Sequence, residues 1–312
     1  MNLAIGVDIG GTKIAGGVVS GSTVLAATRR ESPARRPEAI ADTIAEVVAD
    51  LRAGRDVAAV GIAAAGFIDL RGEEVMFAPN LAWRDEPLRV LVEDRVGVPT
   101  YLENDANAAA WAEYRFGAGQ GARALLMATI GTGIGGGLVL DGEIFHGGFG
   151  VAAELGHMRV VPGGRPCACG MRGCWEAYGS GSALAVRARE LALEDPSSAV
   201  VLLELAGGDV ETIRGSLVSE AAEQGDPASR QSFAELAHWI GEGVASLASI
   251  IDPDVVVIGG GVSESPALDL DAVVAAFGAA ETGFGHRPPP RISRALLRNH
   301  AGLVGVADLA LR

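Results

Sequence analysis

Two segments half a chain apart repeat one design: an apolar strand, a glycine turn and a second apolar strand. Leu3 to Val7 is a short apolar run ending in Asp8; Gly10-Gly11-Thr12-Lys13 follows, and the apolar pattern resumes over Ile14 to Val19. Ala124 to Thr129, then Gly131-Thr132-Gly133, then Gly135 to Leu140 repeat it, and Asp141-Gly142 turns the chain into a further strand. Two copies cannot make a solenoid, so the repetition predicts a duplicated domain with a glycine hairpin facing a cleft from each half. Backbone N–H groups in such turns can approach an anion with no Cβ in the way. One Gly-Gly turn alone reads as a plain hairpin; its recurrence favours phosphate binding. The pattern is not Gly-x-x-x-x-Gly-Lys-Ser/Thr and no helix follows directly, which excludes the P-loop class.

Between the copies, apolar residues at helical spacing predict a helix over Glu38 to Leu51, and Val57 to Ala64 reads as a buried strand. This alternation is that of an α/β fold. The strand runs into Gly66, and a loop with Pro79-Asn80-Leu81-Ala82-Trp83 follows. Pro87 to Val96 reads as a helix and Pro99 to Leu102 as a strand that delivers Glu103-Asn104-Asp105 at its C-terminal end, where open α/β sheets bind ligands. Asn and Asp are also preferred helix caps, and Ala106 to Phe116 is a helix, so local residues allow both readings. Arg29, Arg30, Arg35 and Arg36 fall in a proline-broken segment that reads as a solvated loop. Further on, Ser182 to Leu193 is a helix, two more helices are expected up to Gln224, and Pro227 to Ile251 carries one long apolar stripe. Val255 to Ile258 is a buried strand entering Gly259-Gly260-Gly261; Ile292 to Leu297 reads as a last strand and Ala301 to Leu311 as a closing helix.

All 3 cysteines lie in one loop, in Cys167-x-Cys169-Gly170-x-x-Gly173-Cys174, with His157 just upstream. Three thiols cannot pair off as disulfides. With His157 they make the ligand count of a closed tetrahedral zinc site, and the two glycines supply the tight turns between ligands. The alternative is a set of free buried thiols. A saturated zinc cannot activate water, so the metal reads as structural, fixing Glu154, His157 and Glu176 around it.

A chain of 312 residues, 49% hydrophobic and 21% charged, can pack two ordinary domains. A formal net charge of −14 without a basic run argues against nucleic acid or an anionic membrane as partner. Asp8 and the glycine pair arrive before an apolar signal region could form, so the chain reads as cytoplasmic.

Glu154-x-Gly156-His157 followed by Cys167-x-Cys169-Gly170-x-x-Gly173-Cys174-x-Glu176 resembles the sugar-kinase signature of the ROK family (repressors, open reading frames and kinases). Glu103-Asn104-Asp105-Ala106-Asn107 is similar to another of its motifs, and the two glycine hairpins resemble the phosphate loops of the actin-like, ribonuclease H-like sugar-kinase fold, a duplicated two-domain α/β ATPase fold with a central cleft. The resemblance implies ATP-dependent hexokinase activity, with glucose converted to glucose 6-phosphate; another hexose, such as fructose, mannose or an N-acetylated sugar, is the alternative within the family. A sugar-sensing regulator of the same family would carry an added N-terminal helix-turn-helix, whereas the first strand here begins at Leu3. A polyphosphate-using kinase would want extra basic residues.

The same resemblance implies Asp105 as catalytic base, and Gly66, Asn80, Asn104, Asp105, Glu154, His157 and Glu176 as sugar ligands. It implies Asp8, Gly10, Gly11, Thr12, Lys13, Gly131, Thr132, Gly133, Gly259, Gly260 and Gly261 around ATP, and Mg²⁺ at Asp8 through water. Structural Zn²⁺ falls to His157, Cys167, Cys169 and Cys174. A first domain is expected over 1–105, completed by about 298–312, and a second over 106–297, in a homodimer or homotetramer.

Overall fold

The computed structural model describes residues 2–34, 36, 39–78, 81, 83–283, 285–286 and 288–312. They form two compact units: Met1–Leu125, Gly137–Ala153 and Asn299–Arg312 in the first, Leu126–Gly136 and Glu154–Arg298 in the second.

The first unit begins with an antiparallel meander of β1 (Leu3–Ile9), β2 (Lys13–Ser20) and β3 (Thr23–Glu31). The structure corrects the expectation of a solvated loop at Arg29 and Arg30. Arg29 and Arg30 lie on an edge strand whose residues alternate between exposed and half-buried, so the strand lacks a clear apolar face to betray it. Helix α1 (Ile40–Arg52) buries Ile44, Val47, Val48 and Leu51 and leads into β4 (Val57–Ala64). A small antiparallel sheet of β5 (Phe67–Ile68), β6 (Val75–Ala78) and β7 (Trp83–Glu86) occupies the stretch expected to be loop. Helix α2 (Leu88–Val96), β8 (Thr100–Asn104) and α3 (Asp105–Phe116) follow.

β9 (Ala124–Ile130), β10 (Ile134–Leu140) and β11 (Glu143–Ile144) repeat the meander. The second unit continues with α4 (Glu176–Gly179), α5 (Gly181–Glu194), α6 (Val200–Leu205), α7 (Gly215–Glu223) and the long α8 (Pro227–Ile251). Then come β12 (Val255–Gly259), α9 (Leu270–Ala280) and β13 (Arg291–Arg294), parallel to β12. α9, which no apolar period in the sequence announces, buries only Val273 and Phe277. The last helix, α10 (Ala301–Leu309), belongs to the first unit.

The two five-stranded sheets run β3-β2-β1-β4-β8 and β11-β10-β9-β12-β13. Numbered within each half, both read 3-2-1-4-5, and the repetition legible in the glycine turns extends to the whole sheet. In the first sheet β1, β4 and β8 are parallel. α10 lies against β1 and β4 at glycine positions: a Cβ at Gly6 would strike the Leu303 carbonyl, and one at Gly61 the Val306 carbonyl. Gly305 faces the Ala108 carbonyl just as tightly, so α3 and α10 meet backbone to backbone. α3, expected beyond a boundary at residue 105, thus packs inside the first unit, and the cut falls within β9.

Candidate active site

In the first unit Ile9, Ala64 and Asn104 stand side by side across the parallel strands. Asp8, the Gly10 turn, Gly66 and Asp105 therefore all leave from the carboxyl ends of adjacent strands. The turn is closed by the Gly10 N–H donating to the Lys13 carbonyl at 2.9 Å, and the Ser32 N–H donates to the Thr12 carbonyl at 3.0 Å. Helix α3 begins at Asp105, and its cap is Asn104, whose Oδ1 accepts from the Ala106 and Asn107 N–H groups at 2.9 and 3.0 Å. The Asn104 amide also donates to the Gly66 carbonyl at 3.1 Å, with Gly66 at φ +133°. This divides the labour that sequence left open: Asn104 caps the helix, and the Asp105 carboxylate accepts the Ala106 N–H at 2.9 Å.

Burial pushes the Asp105 carboxyl up, with the Ala106 N–H pulling the other way. Burial, then the Asp105 charge, raise Asp8 to about 6, opposed by Lys13. Two carboxylates at neighbouring strand ends that both resist ionisation suit a site for a cation and a proton to be accepted.

Just behind lies a network that sequence reasoning missed. Glu103, 2% exposed, accepts from the Asn104 N–H at 2.9 Å and from the Asn107 amide at 3.1 Å through Oε1. Its Oε2 accepts the Tyr101 hydroxyl at 3.3 Å and lies 2.8 Å from His146 Nε2. A lone histidine in a glycine-rich turn carries no motif that points to such a partner.

In the second unit the Gly131–Gly133 turn is closed by a 2.9 Å bond from the Gly131 N–H to the Gly133 carbonyl. Its other carbonyls are tied to the start of α5: the Gly181 N–H donates to Gly131 at 2.8 Å and the Ser182 N–H to Thr132 at 3.2 Å. Glu176 Oε2 accepts the Ile134 N–H at 2.9 Å, so the carboxylate that follows the cysteine loop pins the strand leaving the turn. Gly156 packs on Ile134 as well, where a Cβ would strike its carbonyl. The Gly259–Gly261 turn folds over the end of β9, with the Val262 N–H donating to the Ile130 carbonyl at 3.0 Å. Asn80 lies outside the described residues.

His157, on the single 3₁₀ turn Leu155–His157 that follows Glu154, and the three cysteines place their ligand atoms within 4.8 Å of one another. Cys169 Sγ and Cys174 Sγ are 3.7 Å apart, and Cys167 Sγ is 3.8 Å from His157 Nδ1. These are edge lengths of a tetrahedron with metal–sulfur bonds of about 2.3 Å, and far beyond a disulfide bond of about 2.05 Å. Geometry and donor set fit Zn²⁺. Gly170 (φ +86°) and Gly173 (φ +82°) make the turns, and a Cβ at Gly173 would strike the Val161 carbonyl.

A family profile described as "ROK family" matches residues 4–312. The glucokinase of Streptomyces coelicolor is 48% identical over 310 residues, covering 99% of this chain and 98% of that protein. Among solved structures, the ROK family glucokinase from Streptomyces griseus in complex with glucose and AMPPNP is 51% identical and superposes with a TM-score of 0.89 over 99% of each chain. The ROK hexokinase from Thermus thermophilus is 35% identical, with a TM-score of 0.82 over 99% of this chain and 98% of that one. The duplicated sheets are those of the actin-like ATPase fold, and the chain belongs to the ROK family.

Proposed function

We propose that the chain is a glucokinase that transfers the γ-phosphoryl group of ATP to the 6-hydroxyl of glucose. The placement of Asp105 carries this reading: with Asn104 taking the helix cap, its carboxylate stands at the end of β8 beside Asp8 in a ROK-family chain. Asp105 accepts the hydroxyl proton as the oxygen attacks phosphorus in line. Apart from the Gly10 and Gly131 N–H groups that close them, the turns at Gly10, Gly11, Thr12, Lys13 and at Gly131, Thr132, Gly133 offer N–H groups to phosphate oxygens, and Gly259, Gly260 and Gly261 let a flat base lie on backbone. Mg²⁺, when bound, neutralises phosphate charge, and Asp8 is the residue to hold it through water.

Gly66, Asn104, Glu154, His157 and Glu176 are the groups proposed to hold sugar hydroxyls. Asn104 already spends its carbonyl oxygen and one amide N–H within the protein; Glu176 spends Oε2 on Ile134, and its Oε1 lies 3.8 Å from the Cys167 thiol. Asn104 therefore offers the sugar its second amide N–H, and Glu176 its Oε1 once Cys167 binds zinc as a thiolate and no longer donates. Buried polar partners of this kind penalise a sugar that leaves one unpaired. Zn²⁺ on His157, Cys167, Cys169 and Cys174 is structural in this reading, since four protein ligands leave it no open position. Self-association into a homodimer or homotetramer and a cytoplasmic location belong to the same proposal. The three unpaired thiols support the latter, and among the described residues no helix is long and apolar enough to cross a membrane.

Asp105→Asn tests the assignment. It keeps size and most hydrogen bonding but removes the proton acceptor, so kcat falls by roughly 10²–10⁴-fold while glucose binding stays within a few-fold. A wild-type kcat in this variant overturns the assignment. Phosphorylation of a panel of hexoses with ATP and with polyphosphate tests substrate and donor; a sugar used at least tenfold better than glucose replaces it.

A further inference from the structure

The buried Glu103 carboxylate sits two residues before Asp105, touches the backbone of the intervening residue, and is not needed for the phosphoryl transfer described above. Each of its four contacts lies within the first unit, and each acts on the turn that carries Asp105. Oε1 accepts the Asn104 N–H and the Asn107 amide, and so fixes the residue that caps α3 and the first turn of that helix. Oε2 takes the Tyr101 hydroxyl from its own strand and His146 from the turn after β11.

His146 is the outlier in this group. Its side chain is 34% exposed, whereas that of Glu103 is 3% exposed, so it brings a donor from the surface down to a buried charge. The segment that carries it is Phe145-His146-Gly147-Gly148-Phe149-Gly150-Val151-Ala152-Ala153, in which no other residue titrates. The Ala152 N–H donates back to the His146 carbonyl at 3.2 Å, and Gly150 (φ +83°) lies against the backbone of Ile68 and Asp69, so the turn has a defined seat. Asp69, whose backbone lies against Gly150, spends its carboxylate on the Arg71, Glu73 and Glu74 N–H groups. Glu103 is thus the acceptor that His146 reaches. A buried carboxylate with all four contacts satisfied is rigid; one that loses a donor must find water or move.

We propose that His146 and Glu103 form a positioning pair for Asp105. By holding the buried carboxylate against the Asn104 N–H, His146 fixes the strand-to-helix turn from which the base projects, and a glycine-rich surface turn is thereby coupled to the geometry of proton acceptance. The pair rests on the reading of Asp105 as the base and adds to it two residues that touch neither substrate nor phosphate. A small shift of that turn is costly, since displacement of a catalytic group by about 1 Å can cost about 100-fold in rate.

The experiment compares His146→Leu, which removes the donor, with His146→Gln, whose amide nitrogen can stand where Nε2 stands, by steady-state kinetics with glucose and MgATP and by thermal unfolding. The expected result is a kcat lowered roughly 10- to 100-fold in His146→Leu, with KM for ATP within about twofold of wild type, and a kcat restored to within a few-fold by His146→Gln. Wild-type kcat in His146→Leu overturns the pair. So does an equal loss in both variants, which would make the ring a packing element. If His146→Leu proves too unstable to assay, His146→Ala, which removes the donor without setting a larger alkyl group against the carboxylate, decides with Glu103→Gln: a coupled pair loses no more in the double variant than in Glu103→Gln alone, and additive losses overturn it. Asp105→Asn, run alongside, separates the two proposals: if it retains activity the base assignment fails, and if it loses activity while His146→Leu does not, only the positioning pair fails.

Discussion

At Asp8 and Asp105, stability and activity ask for opposite things from pH. Both carboxyls are held above the ordinary carboxylate value, Asp8 at about 6. A group with a raised folded-state pKa binds its proton more readily folded than unfolded. Its charged form therefore costs stability above about pH 6, and that cost fades as pH falls toward the unfolded value. In the proposed mechanism activity needs the charged forms. The acid limb of kcat/KM accordingly falls as pH drops through about 6, measured with glucose saturating and Mg²⁺ fixed. Asp8→Asn moves the other way in stability: without nucleotide or Mg²⁺ it melts a few degrees above wild type at pH 7.5, and the difference shrinks at pH 5. A variant no more stable at pH 7.5 than at pH 5 would show that the strain on Asp8 is not electrostatic. The roles of Asn104 and Asp105 were not separable in sequence, because both residue types cap helices; only the bonds from Ala106 and Asn107 to Asn104 Oδ1 assign the cap.

At the scale of elements, the cysteine loop was legible because its chemistry is written in spacing, and the glycine hairpins because they recur. The edge strand β3 and the short helix α9 were not, since each buries too little to leave an apolar period. The loop and the second hairpin prove to be one structure: Glu176 bonds the Ile134 N–H, and Gly156 packs on the same residue. Metal loss should therefore be felt at the hairpin. Protein purified without chelator is expected to hold about one zinc per chain by elemental analysis, and Cys169→Ser to lose most of it. That variant should melt lower and show a raised KM for glucose together; an unchanged KM would confine the metal's effect to stability. Gly173→Ala should act in the same direction without touching a ligand, since φ +82° and the Val161 carbonyl both exclude a side chain.

For the whole molecule, the sequence carried the duplication but not the point at which one unit ends, because α3 is claimed by a contact that no periodicity reveals: Gly305 against Ala108. α10 buries Leu303, Val304 and Val306 on the first sheet. Leu303→Ala should cost about 2–5 kcal/mol by denaturant unfolding, and Gly61→Ala about 1–3 kcal/mol or more through overpacking against the Val306 carbonyl. A loss below about 0.5 kcal/mol in both would mean that α10 is dispensable to the first unit. The closing segment Asn299–Arg312 also sets an order of events during translation. The strands it covers, β1 and β4, leave the ribosome long before α10, the helix that covers them. Until residues 299–312 emerge, one face of the first sheet lacks that cover, and a nascent polypeptide stalled short of residue 299 should remain protease-sensitive and chaperone-bound in this unit.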